Sequence, residues 1–307
     1  MESAPAKSKH VKLSHINRIS PASNAIINII FLIILFLFIM PVILIIMVSF
    51  SSNDSILQNG YSYWPSEFSL EAYRFVFKYW KDIGRAYGVS LFVTAFGSVA
   101  ATLIIALYAY PLSRSSFGPR NKFAFFAFFT TIFGGGLVPW VIVYSRVFQI
   151  DSTVWILIVP YLLNAWWVII MRTFMKSSVP DDLIEAARID GAGEFRIFFT
   201  IVLPLARAGL ATIFLFCLLR FWNDYYLSLI FIKDSHLYTI QYYMYQLLNN
   251  ITYLTTNTNV PPTARQNLPS DSIRMAIAVI AVGPVIFCYG FFQRYFVKGI
   301  IVGAVKG

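Results

Sequence analysis

Residues 178 to 204 read SVPDDLIEAARIDGAGEFRIFFTIVLP, a polar stretch inside a chain that is otherwise mostly hydrocarbon. Ser178, Val179, Pro180 and Asp181 have the S-x-x-D spacing of a capping box, with Pro180 in the first turn and Asp181 and Asp182 facing the positive helix end. The pattern predicts a short helix with Leu183, Ile184, Ala186 and Ala187 around one side and Glu185, Arg188 and Asp190 around the other. Gly191-Ala192-Gly193 suits a left-handed stop, and a second helix should run from about Glu194 to Pro204. Two short helices joined by a glycine break, lying between two apolar spans, make a compact knob on one membrane face, suited to docking. An amphipathic linker lying on the lipid surface is the bland alternative for the same residues.

Outward from this stretch, 58% of the 307 residues are hydrophobic and 12% are charged, too few charges for an ordinary water-facing surface. The chain therefore reads as a membrane protein. Uncharged runs cover 19–53, 86–113, 123–145, 152–171 and 275–293, and a sixth, 208–232, is interrupted only by Arg220 and Asp224. Each is near or above the roughly 20 residues that a spanning helix needs. The expectation is an all-α polytopic protein with six transmembrane helices.

The formal charge of +10 raises nucleic acid as a partner, but the cations border the apolar runs. With the N-terminus inside, fifteen Lys and Arg fall on the cytoplasmic side, among them Arg114, Arg120, Lys122, Arg172, Lys176 and Arg188, against seven outside. That bias favours N-in and C-in and no nucleic acid. Residues 1–20 form a basic segment that looks like a signal peptide at first. The apolar run behind it is too long for an h-region, so an uncleaved first span is expected, with membrane lipid around it. Cys217 and Cys288 fall in predicted spans and read as small buried hydrophobes. Three scattered histidines have no metal-ligand spacing.

Between the spans, Tyr73, Phe77 and Trp80 recur at helical spacing and suggest an interfacial helix, with sugar stacking as a sharper alternative. Gly134-Gly135-Gly136 and Pro139 break the third span; close helix packing accounts for them, and a pathway-lining bend is the alternative. The short connection around Gln149-Ile150-Asp151 makes spans three and four a tight hairpin. Asn164, Trp166 and Trp167 fall inside the fourth span, and residues 233–272 read as the longest external loop. No G-x(4)-G-K-[ST] or HExxH pattern occurs, so nothing in the sequence points to ATP hydrolysis by this chain.

Arg220 and Asp224 lie about 12 to 17 residues into the fifth span, where an unpaired charge costs several kcal/mol. Four apart, they share a helix face and are expected to pair. Trp222, Asn223, Tyr225 and Tyr226 surround them. Planar polar groups beside aromatic faces fit a hydrated sugar passage; a buried pair that fixes helix packing is the alternative.

Glu185-Ala186-Ala187, then Gly191, then Ile201-x-Leu203-Pro204 resemble the EAA loop of ATP-binding-cassette (ABC) importer permeases, E-A-A-x(3)-G-x(9)-I-x-L-P, at every fixed position. Trp222-Asn223-Asp224-Tyr225 and the run from Gln293 to Gly299 look like the carbohydrate-importer branch, the maltose-permease-like family. Phe133 to Pro139 and Met171 to Met175 look closest to permeases for oligosaccharides and polysaccharide fragments, of the aldouronate or alginate type.

The resemblance implies a type I permease domain over 21–307, with the coupling loop at 178–204 and a cytoplasmic tail, 298–307, that reaches between the ATPases. Glu185, Ala186, Ala187, Asp190, Gly191, Leu203 and Pro204 would meet an ATPase subunit. Trp222, Asn223, Asp224, Tyr225 and Asn164 would line the substrate pathway. The implied partners are a second, different permease, two ATPase subunits, an extracytoplasmic solute-binding protein and an oligosaccharide. ATP and Mg would be held by the ATPases, with no cofactor on this chain. Transport would proceed by alternating access. A membrane glycosyl transferase would need paired carboxylates or a DxD-type metal site, and Asp181-Asp182, the only adjacent acidic pair, is explained by helix capping. A secondary transporter would tend to show internal repeats and ion-coupling acids, of which Asp224 alone is intramembrane.

Overall fold

The computed structural model describes residues 20–256 and 271–283. The basic segment up to residue 19, Cys288, the 293–299 run and the tail 298–307 lie outside the described residues. Among the described residues the chain is helical, with only an isolated antiparallel bridge between Ser51 and Phe68.

Helix α1, Pro21–Ser49, opens on Ser20, whose Oγ accepts the Ser23 N–H, and on Pro21, whose missing N–H costs nothing in the first turn. Its apolar side chains stay uncovered by the rest of the chain, from Ile26 to Ile46. For a helix of this hydropathy, that exposure means contact with lipid or another subunit. Among the described residues it joins the body at its end, where Ser49 Oγ meets Tyr73 Oη at 2.8 Å and Phe50 packs on the Tyr73 ring. Short helices α2, Asn53–Asn59, and α3, Glu71–Phe77, follow. Of the three aromatics expected on one interfacial helix, Tyr73 is tied to α1 in this way, whereas Phe77 and Trp80 are exposed.

The organising element is α4, Trp80–Ser113, against which α7 (Ala165–Ser178), α11 (Arg207–Trp222) and α13 (Ile240–Thr256) pack. Small buried residues, Ala86, Ser90, Gly97, Ala101 and Ala109 among them, let these helices approach closely. A Cβ on Gly97 would lie 2.7 Å from Phe221 Cζ, and one on Gly209 would lie 2.7 Å from Phe174 Cβ. Ile105, Met171, Met175, Ile197, Phe198, Ile213 and Cys217 complete the main core, so Cys217 is the buried hydrophobe its position suggested.

Two helices, α1 and α4, are long and apolar enough to cross a membrane alone. Three further helix pairs, each bent at a short break, reach that length and apolarity only when taken together. Helix α5, Arg120–Ile132, and α6, Leu137–Ile142, the latter extended by a π turn over Val143–Val147, meet at 114° across the three glycines. The 3-10 turns Val154–Leu157 and Val159–Tyr161 meet α7 at 54°, and the segment Glu194–Leu205 meets α11 at 85°. The described residues thus hold up to five spans, and the run 275–293 enters as helix α14, 271–283, its remainder lying outside them.

Residues 240–256, expected within an external loop, form α13. Ile240, Met244 and Ile251 bury one face of it against Val76, Ile83, Ala86, Trp222 and, on α14, Ile273 and Ile277. The rest of that loop, 257–270, lies outside the described residues.

Candidate functional site

Two features carry polar chemistry in this apolar body. The first is the knob. Ser178 is the last residue of α7, and Val179 is extended because the residue before a proline is kept out of the α region. Helix α8, Asp181–Ile189, therefore starts after Pro180, and no capping box forms at Ser178. Asp181 instead accepts from Arg114 Nη1 at 2.9 Å and Ser115 Oγ at 2.7 Å. At the other end Gly191, φ +82°, stops the helix. Its N–H donates to Arg188 O, and that of Ala192 donates to Ala187 O, the paired bonds of a Schellman motif. The chain resumes in α9, Glu194–Ile197, passes a π turn over Phe198–Val202 and continues as α10, Leu203–Leu205. The wider turn lies just before Pro204, whose ring would crowd the carbonyl four residues back in a regular helix.

Ile184 is buried and Ala187 packs on the main core, so both face the protein. Glu185 and Ala186 face outward. So do two residues that the sequence reasoning passed over: Ile189 is 86% and Phe195 75% exposed. An isoleucine on the otherwise charged side of α8 was the available signal. Across the glycine break Arg188 Nε donates to Glu194 Oε1 at 2.7 Å, and Tyr110 Oη donates to Glu194 Oε2 at 2.9 Å. Partial burial alone would raise the Glu194 pKa, but these two bonds outweigh it and hold the carboxyl below its usual range. The same bond to Glu194 raises that of Arg188.

The second feature is a cavity of about 670 Å³ lined by Gly134, Gly135, Gly136, Pro139, Trp140, Tyr144, Tyr161, Arg220 and Tyr226. A Cβ on Gly134 or Gly135 would meet nothing within 4 Å, so these glycines border open space. Among the described residues no helix packs on them, and they line the cavity. The Arg220 guanidinium carbon lies 4.1 Å from the Tyr161 ring centroid. Tyr161 Oη donates to Asp224 Oδ1 at 2.6 Å, and Asp224 Oδ2 accepts the Leu227 N–H, capping α12, Tyr226–Phe231.

The expected Arg220–Asp224 ion pair is corrected accordingly. It is not among the ion pairs of the described residues, because α11 ends at Trp222, Asp224 falls in the break before α12, and Tyr161 from another segment takes its place. Asp224 is not part of the cavity wall, which therefore presents a cation. A neighbouring cavity of about 620 Å³, along the same π turn and the end of α12, carries Arg146 and Lys233 against one acid, Asp151.

The profile of the family described as "Binding-protein-dependent transport system inner membrane component" matches residues 20–302. The chain belongs to this permease family. Among similar members, the polygalacturonan/rhamnogalacturonan transport system permease protein YtcP of Bacillus subtilis (strain 168) is 34% identical over 88% of this chain and 93% of its own length. Protein LplC of the same organism is 34% identical over 88% of this chain and 90% of its own. In three dimensions a chain from the crystal structure of a bacterial ABC transporter involved in the import of the acidic polysaccharide alginate superposes with a TM-score of 0.75. The two are 27% identical, covering 91% of this chain and 100% of that one.

In this permease the residues expected to line a pathway are dispersed. Trp222 is 4% exposed, packs near Tyr87 and donates its indole N–H to Ala281 O, which makes it a core residue. Asn223 donates to Leu219 O at the end of α11, and Tyr225 stacks on Tyr245. Asn164 caps α7 by accepting the Trp167 N–H at 3.2 Å. The cavity instead gathers Arg220, Tyr226 and Tyr161 with Trp140 and Tyr144, two aromatics whose spacing of four beside the glycine break could have marked them.

Proposed function

We propose that this permease is one half of the membrane pathway of an ABC importer that carries carboxylate-bearing oligosaccharides across the cytoplasmic membrane. The observation that carries the substrate reading is Arg220 in an aromatic-walled cavity that Asp224 does not line. Aromatic rings offer sugar faces a stacking surface, and a guanidinium recognises a carboxylate through a planar pair of donors. The names of the relatives, on polygalacturonan and the acidic polysaccharide alginate, support the same class.

The knob is the surface for an ATPase subunit, with Ile189 and Phe195 as apolar anchors and Glu185 and Ala186 beside them. Gly191 supplies its left-handed turn, and Leu203 and Pro204 its exit. The N- and C-termini face the cytoplasm, consistent with the cation bias of the loops. A second, different permease covers the open side of the cavity, a solute-binding protein delivers the sugar outside, and ATP with Mg acts on the ATPases. Their closure moves the knob and switches the cavity between the two sides. The test is uptake of a labelled uronate oligosaccharide by the assembled transporter in proteoliposomes. Accumulation should require both ATP inside and binding protein outside; accumulation driven by an ion gradient without ATP would overturn the proposal.

A further inference from the structure

We infer that Tyr110, in the last turn of α4, and Arg114, the residue that follows the helix, are positioning residues through which the knob moves the second span. The inference rests on the docking role proposed for the knob. The knob is covalently joined to α7 and α11 but not to α4, which is nevertheless the helix at the centre of the packing. Motion of the knob therefore reaches α4 only through contacts.

Two such contacts are polar and directional. The Arg114 side chain is 4% exposed. Its Nη1 donates to Asp181 Oδ1 at 2.9 Å and Val179 O at 3.0 Å, its Nη2 to Met175 O at 3.0 Å and its Nε to Ser113 Oγ at 2.9 Å. It thus grips the end of α7 and the first turn of α8 together. One turn earlier, Tyr110 donates to Glu194, the first residue of α9, which also holds Arg188.

The start of each knob helix is thereby tied to the same end of α4. A cavity of about 460 Å³ lies alongside, bordered by Leu107, Pro111, Phe117 and Phe195, and beside it the Tyr110 ring packs on Phe198, so the polar bonds supply the directional part of the connection. A buried guanidinium with its donors satisfied is costly to unpair, which makes the joint stiff. A lysine ammonium keeps the charge but cannot span two carbonyls and a carboxylate with one planar fork.

The test uses the assembled transporter in proteoliposomes, carrying Arg114→Lys or Tyr110→Phe, and reads oligosaccharide taken up per ATP hydrolysed. With ATPase copurification and basal hydrolysis retained, uptake per ATP should fall about tenfold for Arg114→Lys and about threefold for Tyr110→Phe, the factors one charge-assisted bond and one weaker bond carry. A merely structural role would lower thermal stability and leave that ratio unchanged, and an unchanged ratio in both variants would overturn the inference. Loss of ATPase copurification in both would also overturn it, because the bonds would then only build the knob. If Arg114→Lys fails to fold, Tyr110→Phe, whose ring remains against Phe198, decides alone. Ile189→Asp, at an exposed residue of the docking face, is the control for the docking role and should lose ATPase copurification. Full copurification and coupling in that variant would overturn the docking role and this inference with it.

Discussion

The Tyr161 hydroxyl donates to Asp224 at 2.6 Å while the ring of the same tyrosine lies under the Arg220 guanidinium, which stays available to the cavity. Tyr161→Phe should therefore leave the carboxylate short of a donor and destabilise the protein by about 1–3 kcal/mol. Thermal unfolding in nanodiscs measures this; an unchanged midpoint would mean that Asp224 is satisfied without Tyr161.

Trp222 is expected to act in folding. Trp222→Ala removes a buried indole from between α4 and α14 and should cost about 3–5 kcal/mol, lowering the yield of folded permease. Normal yield and stability with a selective loss of uptake would return Trp222 to the pathway.

Gly209 touches Phe174 where no Cβ fits, and the atom it would strike belongs to the root of the side chain, which cannot turn away. Gly209→Ala should part α7 from α11, the two helices that flank the knob, at a cost of about 1–3 kcal/mol. Faster proteolysis or hydrogen exchange across the knob reports the change, and wild-type protection would contradict it.

The Arg188–Glu194–Tyr110 contact has a defined pH window. The Glu194 pKa is lowered in the folded state, so its contribution is fully present above the ordinary carboxylate value and is lost as pH falls through the lowered one. Amide exchange in α9 should be unaffected between pH 7 and 5 beyond its intrinsic rate and should accelerate only under about pH 4, near the unperturbed glutamate value. In Glu194→Gln the protection should be lower and free of that step.

The knob was legible in the sequence because its signals are local: a proline, a glycine that must take positive φ, and charges that bracket a short helix. Its start was displaced from Ser178 because Pro180 forces Val179 out of the helix, so that Asp181 became a partner for Arg114. The spacing of Arg220 and Asp224 placed them on one helix face, but the helix ends between them and Tyr161, distant in sequence, intervenes. Residues 240–256 were read as part of the external loop 233–272, although Ile240, Met244, Leu247, Leu248 and Ile251 keep a helical period. Trp222 and Tyr226 look equivalent in sequence; only the break at Asn223 turns one into the core and the other into the cavity.

The central claim is that Arg220 makes this a pathway for carboxylate-bearing sugars. It is tested most directly by comparing initial ATP-driven uptake of a uronate oligosaccharide and of its carboxyl-reduced, neutral counterpart in wild type and Arg220→Gln. Both should be delivered by a binding protein shown to hold either sugar. The account predicts that wild type favours the acidic sugar and that Arg220→Gln lowers its uptake by roughly 10-fold or more, the factor of one lost charge-assisted pair, while neutral uptake stays within about twofold. Equal losses for both sugars, or an unchanged preference in Arg220→Gln, would contradict it.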